Sequence, residues 1–190
     1  MTVSTGIGSG IIIGGSLYSG VSGSAGEIGH MTIDINGPRC NCGNIGCFEM
    51  LASGTAMAKE AVQRIKQGEK SVLTKITGSK IENITAEKVS TAAQDGDSLA
   101  SEVILKTATY LGIGLTNLVN IFNPEMIIIG GGMAKMGDLL LDPARRIVRE
   151  RAFQLPTRAV QIVSAQLGDD AGVLGAAVFT FQQRAAGRTE

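Results

Sequence analysis

The single histidine and the three cysteines of this 190-residue chain lie close together, between positions 30 and 47. A tetrahedral site with three sulfur donors and one nitrogen donor is an arrangement that zinc prefers in proteins. Glycine and proline residues between the four candidates allow the backbone to turn tightly around one ion. The sequence therefore predicts a structural zinc site formed by His30, Cys40, Cys42 and Cys47.

Two other interpretations of this cluster are a group of reduced cysteines without metal and a disulfide. An odd number of cysteines disfavours a purely disulfide-bonded framework, and Cys40 and Cys42 are too close in sequence to pair without strain. Four protein ligands would fill the tetrahedral shell and leave no position for water, which favours a structural role over a hydrolytic one.

The charges of the chain balance, with 17 basic and 17 acidic residues, so the composition indicates no surface for nucleic acid or anionic membranes. No run of residues approaches the roughly 18 apolar residues that a membrane span needs, and the first residues do not resemble a signal peptide. Reduced, metal-bound cysteines fit a reducing compartment. We therefore expect a cytoplasmic protein with no membrane partner and no nucleic acid bound through this chain.

The order of the predicted elements is typical of an α/β fold with a mixed sheet and flanking helices. Two glycine-linked strands open the chain, and alternation at residues 31–35 predicts another short strand. Thr85 is placed to cap a helix, and residues 98–122 have the apolar spacing of one long helix that Asn123 and Pro124 end. Residues 125–129, which contain the apolar run Met126-Ile127-Ile128-Ile129, then predict a fully buried strand.

Two glycine-rich segments are candidates for nucleotide binding. The first is Thr5-Gly6-Ile7-Gly8-Ser9-Gly10, which can direct backbone N–H groups and hydroxyls toward phosphate oxygens. It is neither a Walker A loop nor a Rossmann turn, and a plain glycine-rich β-hairpin is the alternative. The second is Gly130-Gly131-Gly132, which lies between a strand and a helix, where a flat ring or a ribose can lie on the backbone. A tight turn alone would need only one of these glycines.

Two carboxylates flank the predicted metal loop, Glu27 before His30 and Glu49 after Cys47. A metal-bound histidine keeps a proton on its other ring nitrogen, which can donate a hydrogen bond. Two charged acceptors and one fixed donor suit the hydroxyl groups of a sugar. The alternatives are glycoside hydrolysis by the paired carboxylates, which would leave the glycine segments unused, and two ordinary solvated charges.

The chain resembles the ROK family (repressors, open reading frames and kinases) in motifs that extend over nearly its whole length. The family's ExGH motif is matched by Glu27-Ile28-Gly29-His30, and its CxCGxxGCxE motif by the ten residues from Cys40 to Glu49. The opening STGIGSG, the central IIIGGG and the closing DDAGVLGAA fit as well. The segment ASGTAMAKEA is most similar to the glucokinases among the bacterial members.

The resemblance implies that residues 1–190 form the C-terminal lobe of an actin-like (ribonuclease H-like) ATPase, with a zinc-binding loop at 27–49. It implies a hexose held by Glu27, His30 and Glu49. It implies ATP with Mg²⁺, with the phosphates at Thr5–Gly10 and the adenosine at Gly130–Gly132. It also implies a homodimer.

The resemblance further implies a first lobe that this chain lacks. In the family that lobe carries a DxGxT phosphate loop and the aspartate that acts as general base, so no catalytic residue is expected here. Phosphoryl transfer depends on positioning between two lobes, and we therefore expect the isolated chain to be inactive.

Two functions fit the resemblance. One is an ATP-dependent kinase of glucose or a related hexose, and the other is the sugar-sensing effector domain of a ROK transcriptional repressor. A free-standing, zinc-stabilised interaction module is a third interpretation. The two glycine segments favour the kinase, since a repressor needs no ATP site.

Overall fold

The computed structural model describes residues 1–185, which have an α/β fold. The strands are Thr2–Val3 (β1), Ile7–Gly8 (β2), Ile12–Ile13 (β3), Ser16–Leu17 (β4), Met126–Ile129 (β5) and Gln161–Ser164 (β6). The helices are Glu49–Ala52 (α1), Gly54–Lys66 (α2), Leu73–Ile76 (α3), Ala86–Gln94 (α4), Ser98–Phe122 (α5), Asp138–Arg151 (α6), Gln154–Ala159 (α7) and Ala171–Ala185 (α8). None of these described helices has the length and apolar character needed to cross a membrane.

The described strands form three two-stranded sheets and not the single mixed sheet that the sequence predicts. β1 and β2 form an antiparallel hairpin, whereas β5 and β6 are parallel neighbours. The N–H of Val3 donates to the carbonyl of Gly130 (2.9 Å), which places β1 beside the carboxyl end of β5. The first glycine-rich turn and the second glycine segment therefore lie at the same edge of the molecule.

Helix α5 is the centre of the hydrophobic core, and its predicted bounds are confirmed. The Asp97 side chain accepts from the N–H of Ala100 (2.8 Å) at its start, and Asn123 ends it in the left-handed conformation (φ 43°). Thr85 caps α4 as expected, since its hydroxyl accepts from the N–H of Lys88 (3.3 Å). Helices α2, α4 and α6 pack around α5.

The strand predicted at residues 31–35 is wrong. Only Thr32 pairs there, in an isolated antiparallel bridge with Cys47. The chain turns immediately afterwards, because the Asp34 carboxylate accepts from the N–H of Asn36 (2.9 Å). This local hydrogen bond competes with strand pairing, and the alternating pattern belongs to a loop.

The prediction of a fully buried β5 is also wrong. Ile127 and Ile129 are buried, but Met126 and Ile128 are 44% and 49% exposed. One face of the strand therefore packs into the core, while the other face of the same strand is open to solvent.

An aromatic side chain anchors the predicted metal loop to α5. Phe48 follows Cys47 and is fully buried, and its ring lies against Gly114 in the middle of α5. A Cβ atom at position 114 would overlap this ring. The absence of a side chain at Gly114 makes the space that Phe48 occupies.

We expect Gly114→Ala to destabilise the protein by about 1–3 kcal/mol, the usual cost of forcing an extra carbon into a packed core. This corresponds to a melting temperature lower by roughly 2–10 °C, measured by circular dichroism or calorimetry. Gly175→Ala in α8 is the matched control, because a Cβ there meets no atom within 4 Å. That change should be neutral or stabilising by up to about 1 kcal/mol. Equal behaviour of the two variants would contradict the packing of Phe48 on Gly114.

Candidate metal centre and adjoining cleft

The four predicted metal ligands are brought together by one short 3-10 turn and one folded loop. His30 ends the 3-10 turn Ile28–His30. The cysteines lie in the loop that follows, which folds back on itself through the bridges Thr32–Cys47 and Arg39–Ile45. The N–H of Cys40 donates to the carbonyl of Asn44 (2.8 Å) and so closes the tip of the loop.

The donor atoms of His30, Cys40, Cys42 and Cys47 all lie within 4.8 Å of one another. The Sγ of Cys40 is 3.7 Å from Nδ1 of His30, and the Sγ atoms of Cys42 and Cys47 are 3.6 Å apart. A tetrahedral zinc site with Zn–S bonds of about 2.3 Å has S–S edges of roughly 3.8 Å. The arrangement of these side chains therefore fits a tetrahedral Cys₃His site for zinc.

The electrostatics of the cysteines also bear on metal binding. Burial, together with hydrogen bonding to Cys42, raises the pKa of the Cys47 thiol to about 12. For Cys42, a hydrogen bond from the backbone N–H of Asn44 lowers the pKa. At neutral pH the buried Cys47 thiol is thus protonated on its own, and a bound cation would be needed to hold it as a thiolate.

The two predicted sugar-binding carboxylates lie on either side of the His30 ring. An oxygen of Glu49 is 3.6 Å from Nδ1, the ring nitrogen that faces Cys40, and an oxygen of Glu27 is 3.9 Å from Nε2. With Nδ1 directed at the cysteines, Nε2 is left to face outward beside Glu27. The role of Nδ1 toward a metal and of Nε2 toward a ligand stays a prediction.

The motif that contains His30 packs directly on the first hairpin. The backbone of Gly29 lies so close to the carbonyl of Ile7 in β2 that a Cβ atom at position 29 would overlap it. A glycine is therefore required at this crossing. The close approach sets His30 and Glu27 beside the glycine-rich turn.

A cleft of about 1190 Å³ lies on the other side of that turn. Ser4 and Thr5 form one wall, and Gly132 and Met133 form another. Polar side chains from two helices complete it: Thr55, Lys59, Gln63 and Lys66 of α2, and Glu87, Ser90 and Thr91 of α4.

The residues predicted to bind nucleotide are divided among several places. Thr5 and Gly132 line the large cleft, whereas Gly130 and Gly131 line a separate cavity of about 160 Å³. The hydroxyl of Ser9 donates to the carbonyl of Gly26 (2.7 Å) and so holds the loop before Glu27. Gly8 and Gly10 are exposed, and Gly6 contacts Glu49. Their roles in phosphate binding stay predictions.

Sequence reasoning missed the contribution of α2 and α4 to the cleft. Thr55, Lys59 and Gln63 recur every four residues along one face of α2. This polar stripe is the sequence signal for the part of α2 that lines the cleft. It cannot be distinguished from an ordinary solvated helix face.

Comparison with known proteins places these features in a family. A model of the ROK family matches residues 1–183. The glucokinase of Halalkalibacterium halodurans is 40% identical over 184 residues, which are 96% of this chain and 56% of that protein. The xylose repressor of Caldicellulosiruptor bescii is 39% identical over 175 residues, which are 92% of this chain and 43% of the repressor.

A solved structure gives the same result at the level of the fold. The crystal structure of a ROK family glucokinase from Streptomyces griseus in complex with glucose and AMPPNP matches with a TM-score of 0.85 at 37% identity. The match covers 94% of this chain and 58% of that chain, so the chain spans about half the length of these relatives. Since the family model covers nearly all of its residues, the chain belongs to the ROK family.

Proposed function

We propose that this chain is the C-terminal lobe of an ATP-dependent kinase that phosphorylates glucose or a related hexose. One observation carries the proposal: the turn between β1 and β2 borders both candidate sites. Thr5 lines the large cleft, and the neighbouring Gly6 contacts the carboxylate of Glu49 beside His30. Phosphoryl transfer depends mainly on holding an acceptor hydroxyl against a nucleotide phosphate, and these sites are separated by a single turn.

The cleft would take ATP with Mg²⁺. Its volume is in the range of small-molecule sites, and it combines the turn at Ser4 and Thr5 with the basic side chains of Lys59 and Lys66. The adenosine would lie toward Gly132, between α2 and α4, and the phosphates toward Thr5. The Streptomyces griseus glucokinase that this chain resembles was crystallised with AMPPNP and glucose, which supports this assignment.

The hexose would be bound by Glu27, His30 and Glu49. Zinc held by His30 and the three cysteines would supply folding stability and fix the His30 ring, and it would take no part in the reaction. The chain's own groups then do the binding: the carboxylates accept hydrogen bonds from sugar hydroxyls, and Nε2 of His30 lies beside Glu27 to donate one.

A second lobe would complete the enzyme and provide the general base. The exposed apolar side chains of α8, such as Val173, Val178 and Phe181, support this, as do Met126 and Ile128 on β5. Apolar faces of this extent are usually covered by other protein. A homodimer of the complete protein stays a prediction of the family resemblance.

The second candidate function is the sugar-sensing domain of a repressor. It is favoured by the match to the xylose repressor, which is 39% identical to this chain, against 40% for the glucokinase. The upstream coding sequence separates the two: a DNA-binding helix pair supports the repressor, and a DxGxT strand supports the kinase. The cleft beside Thr5 favours the kinase, because an effector domain that binds only sugar needs no second ligand site.

We expect Glu49→Gln, in the longer protein that includes this chain, to weaken hexose binding by about 10-fold or more. A hydrogen bond to a charged acceptor contributes roughly 1.5–3 kcal/mol, and the amide provides only part of that. Zinc content should not change, because Glu49 is not one of the four clustered donors. Titration calorimetry with glucose and metal analysis would measure both quantities.

The matched control is Glu150→Gln, which removes the same charge from an exposed side chain on α6 that pairs with Arg146 at 3.9 Å. This variant should bind hexose like the parent. Unaltered hexose affinity in Glu49→Gln would remove Glu49 from the proposed sugar site.

A further inference from the structure

Gly6 has a neighbour that its place in a phosphate-binding turn does not explain. A Cβ atom at position 6 would lie 2.7 Å from Oε2 of Glu49, closer than real Cβ contacts allow. Unlike thirteen other glycines of the described chain, Gly6 does not have a left-handed φ, so its backbone conformation alone does not require glycine. The Glu49 carboxylate occupies the space that a side chain at position 6 would fill, so a larger residue there would displace it.

The Glu49 carboxylate is confined on its other side as well. Its Oε1 lies 3.4 Å from Sγ of Cys40 and 3.6 Å from Nδ1 of His30. The carboxylate is therefore held in a gap between the turn and the metal-ligand cluster. The Cys40 thiol donates to Oε1, so the carboxylate has a partner on this side of the gap as well.

The turn that forms the first side of this gap is itself held in place. The N–H of Ser4 donates to the carbonyl of Gly6 (2.9 Å), and the N–H of Gly54 at the start of α2 donates to the carbonyl of Ser4 (2.7 Å). If the gap becomes too narrow, the end of the flexible Glu49 side chain moves more easily than the turn.

We propose that Gly6 is a positioning residue for sugar binding, because its missing side chain sets where the Glu49 carboxylate lies. This inference rests on the proposed function, in which Glu49 binds the hexose. It gives Gly6 a second role beside any contact of its backbone with phosphate. Gly6 then sets the distance between the Glu49 carboxylate, which would bind the sugar, and the turn that faces the nucleotide.

The test is Gly6→Ala in the longer protein that includes this chain, with glucose as the probe and no nucleotide present. A Cβ at position 6 forces the carboxylate to shift by roughly 0.7 Å to reach ordinary contact distance. Loss of one hydrogen bond to a charged acceptor lowers affinity by about 10- to 100-fold. We expect glucose affinity by calorimetry to fall about 10- to 100-fold, with zinc content unchanged.

Gly175→Ala in α8 is the matched control, since it makes the same substitution outside both candidate sites and a Cβ there meets no atom within 4 Å. Its nucleotide-free glucose affinity should stay within about 2-fold of the parent, which is below the effect of one lost hydrogen bond. An equal loss in the two variants would overturn the inference, because it would show that the loss does not depend on the space at position 6.

A double-mutant cycle shows whether Gly6 acts through Glu49. In a Glu49→Ala background the clash is absent, so Gly6→Ala should cause little further loss of glucose affinity. If Gly6→Ala alone unfolds the protein, restoration of folding by Glu49→Ala assigns the damage to the same contact. A full further loss in the double variant, or unfolding that Glu49→Ala does not restore, overturns the inference.

The outcomes also separate this inference from the proposed function. If the parent protein binds no hexose, both are overturned together. If the parent binds glucose and Gly6→Ala binds it equally well, the inference alone is overturned and the proposed function stands.

Discussion

A Cys47→Ser variant is expected to lose stoichiometric zinc and to melt about 5–10 °C below the parent. Serine keeps the shape of the fully buried Cys47 side chain but removes the sulfur donor, which lies 3.6 Å from Cys42. Loss of a residue that only hydrogen-bonds to a metal ligand already lowers metal affinity about 10- to 100-fold. Loss of a ligand itself should lower the affinity further. A 100-fold loss is about 2.7 kcal/mol, and each kcal/mol shifts the melting temperature of a chain this size by roughly 2–4 °C.

Metal analysis of freshly purified protein and a thermal melt would measure both effects. Asn41→Ser is the control, because Asn41 is exposed in the same loop and its side chain makes no hydrogen bond within the described residues. Treatment of the parent with a zinc chelator should reproduce the lower melting temperature, since structural zinc contributes folding free energy. Full zinc content and an unchanged melting temperature in Cys47→Ser would show that the four side chains do not form a zinc site.

The two-lobe proposal predicts the largest kinetic effect. The 190-residue chain alone should phosphorylate glucose at least about 100-fold more slowly than a two-lobed protein that includes it, because a general base contributes about 10²- to 10⁴-fold and the base is expected outside this chain. ADP release in the presence of ATP, Mg²⁺ and a panel of hexoses would be followed for both proteins at equal zinc content.

This comparison needs evidence that the isolated chain is folded. Its zinc content and circular dichroism should match those expected for an α/β protein with one metal per chain. Robust, ATP-dependent turnover by the isolated chain would contradict the two-lobe proposal and would place the catalytic base among the residues of this chain.

The metal cluster could be predicted from the sequence because its four residues are the only histidine and the only cysteines of the chain. One histidine and three cysteines offer a single way to build a Cys₃His site, and the structure brings these four side chains together. Helix α5 could be predicted to the residue because two signals agree: its apolar spacing and the Asn123-Pro124 stop. Agreement between local signals is what makes an element predictable.

The two wrong strand predictions have a different cause. The burial and pairing of a strand depend on neighbouring parts of the fold that a sequence does not show. The apolar run of β5 is the same whether one or both of its faces are covered, and here Met126 and Ile128 lie on an open face. Likewise, the alternation at 31–35 does not reveal that Asp34 turns the chain with its own side chain.

The relations between distant segments were the least predictable part of the candidate site. The cleft depends on α2 and α4 standing opposite Thr5, and the contact of Gly6 with Glu49 joins residues more than forty positions apart. No local pattern encodes such contacts, because they follow from how the helices pack around α5.

The burial of Phe48 has a consequence for motion. Its ring lies between the last cysteine and Glu49 in sequence, and its N–H donates to the carbonyl of Met31 (2.8 Å) on the opposite side of the loop. Opening this loop requires withdrawal of an aromatic ring from the core beside α5, so its fluctuations are tied to cooperative unfolding of the domain. In the proposed sugar site, Glu49 would thus be preorganised before the ligand arrives, and little conformational entropy would be lost on association.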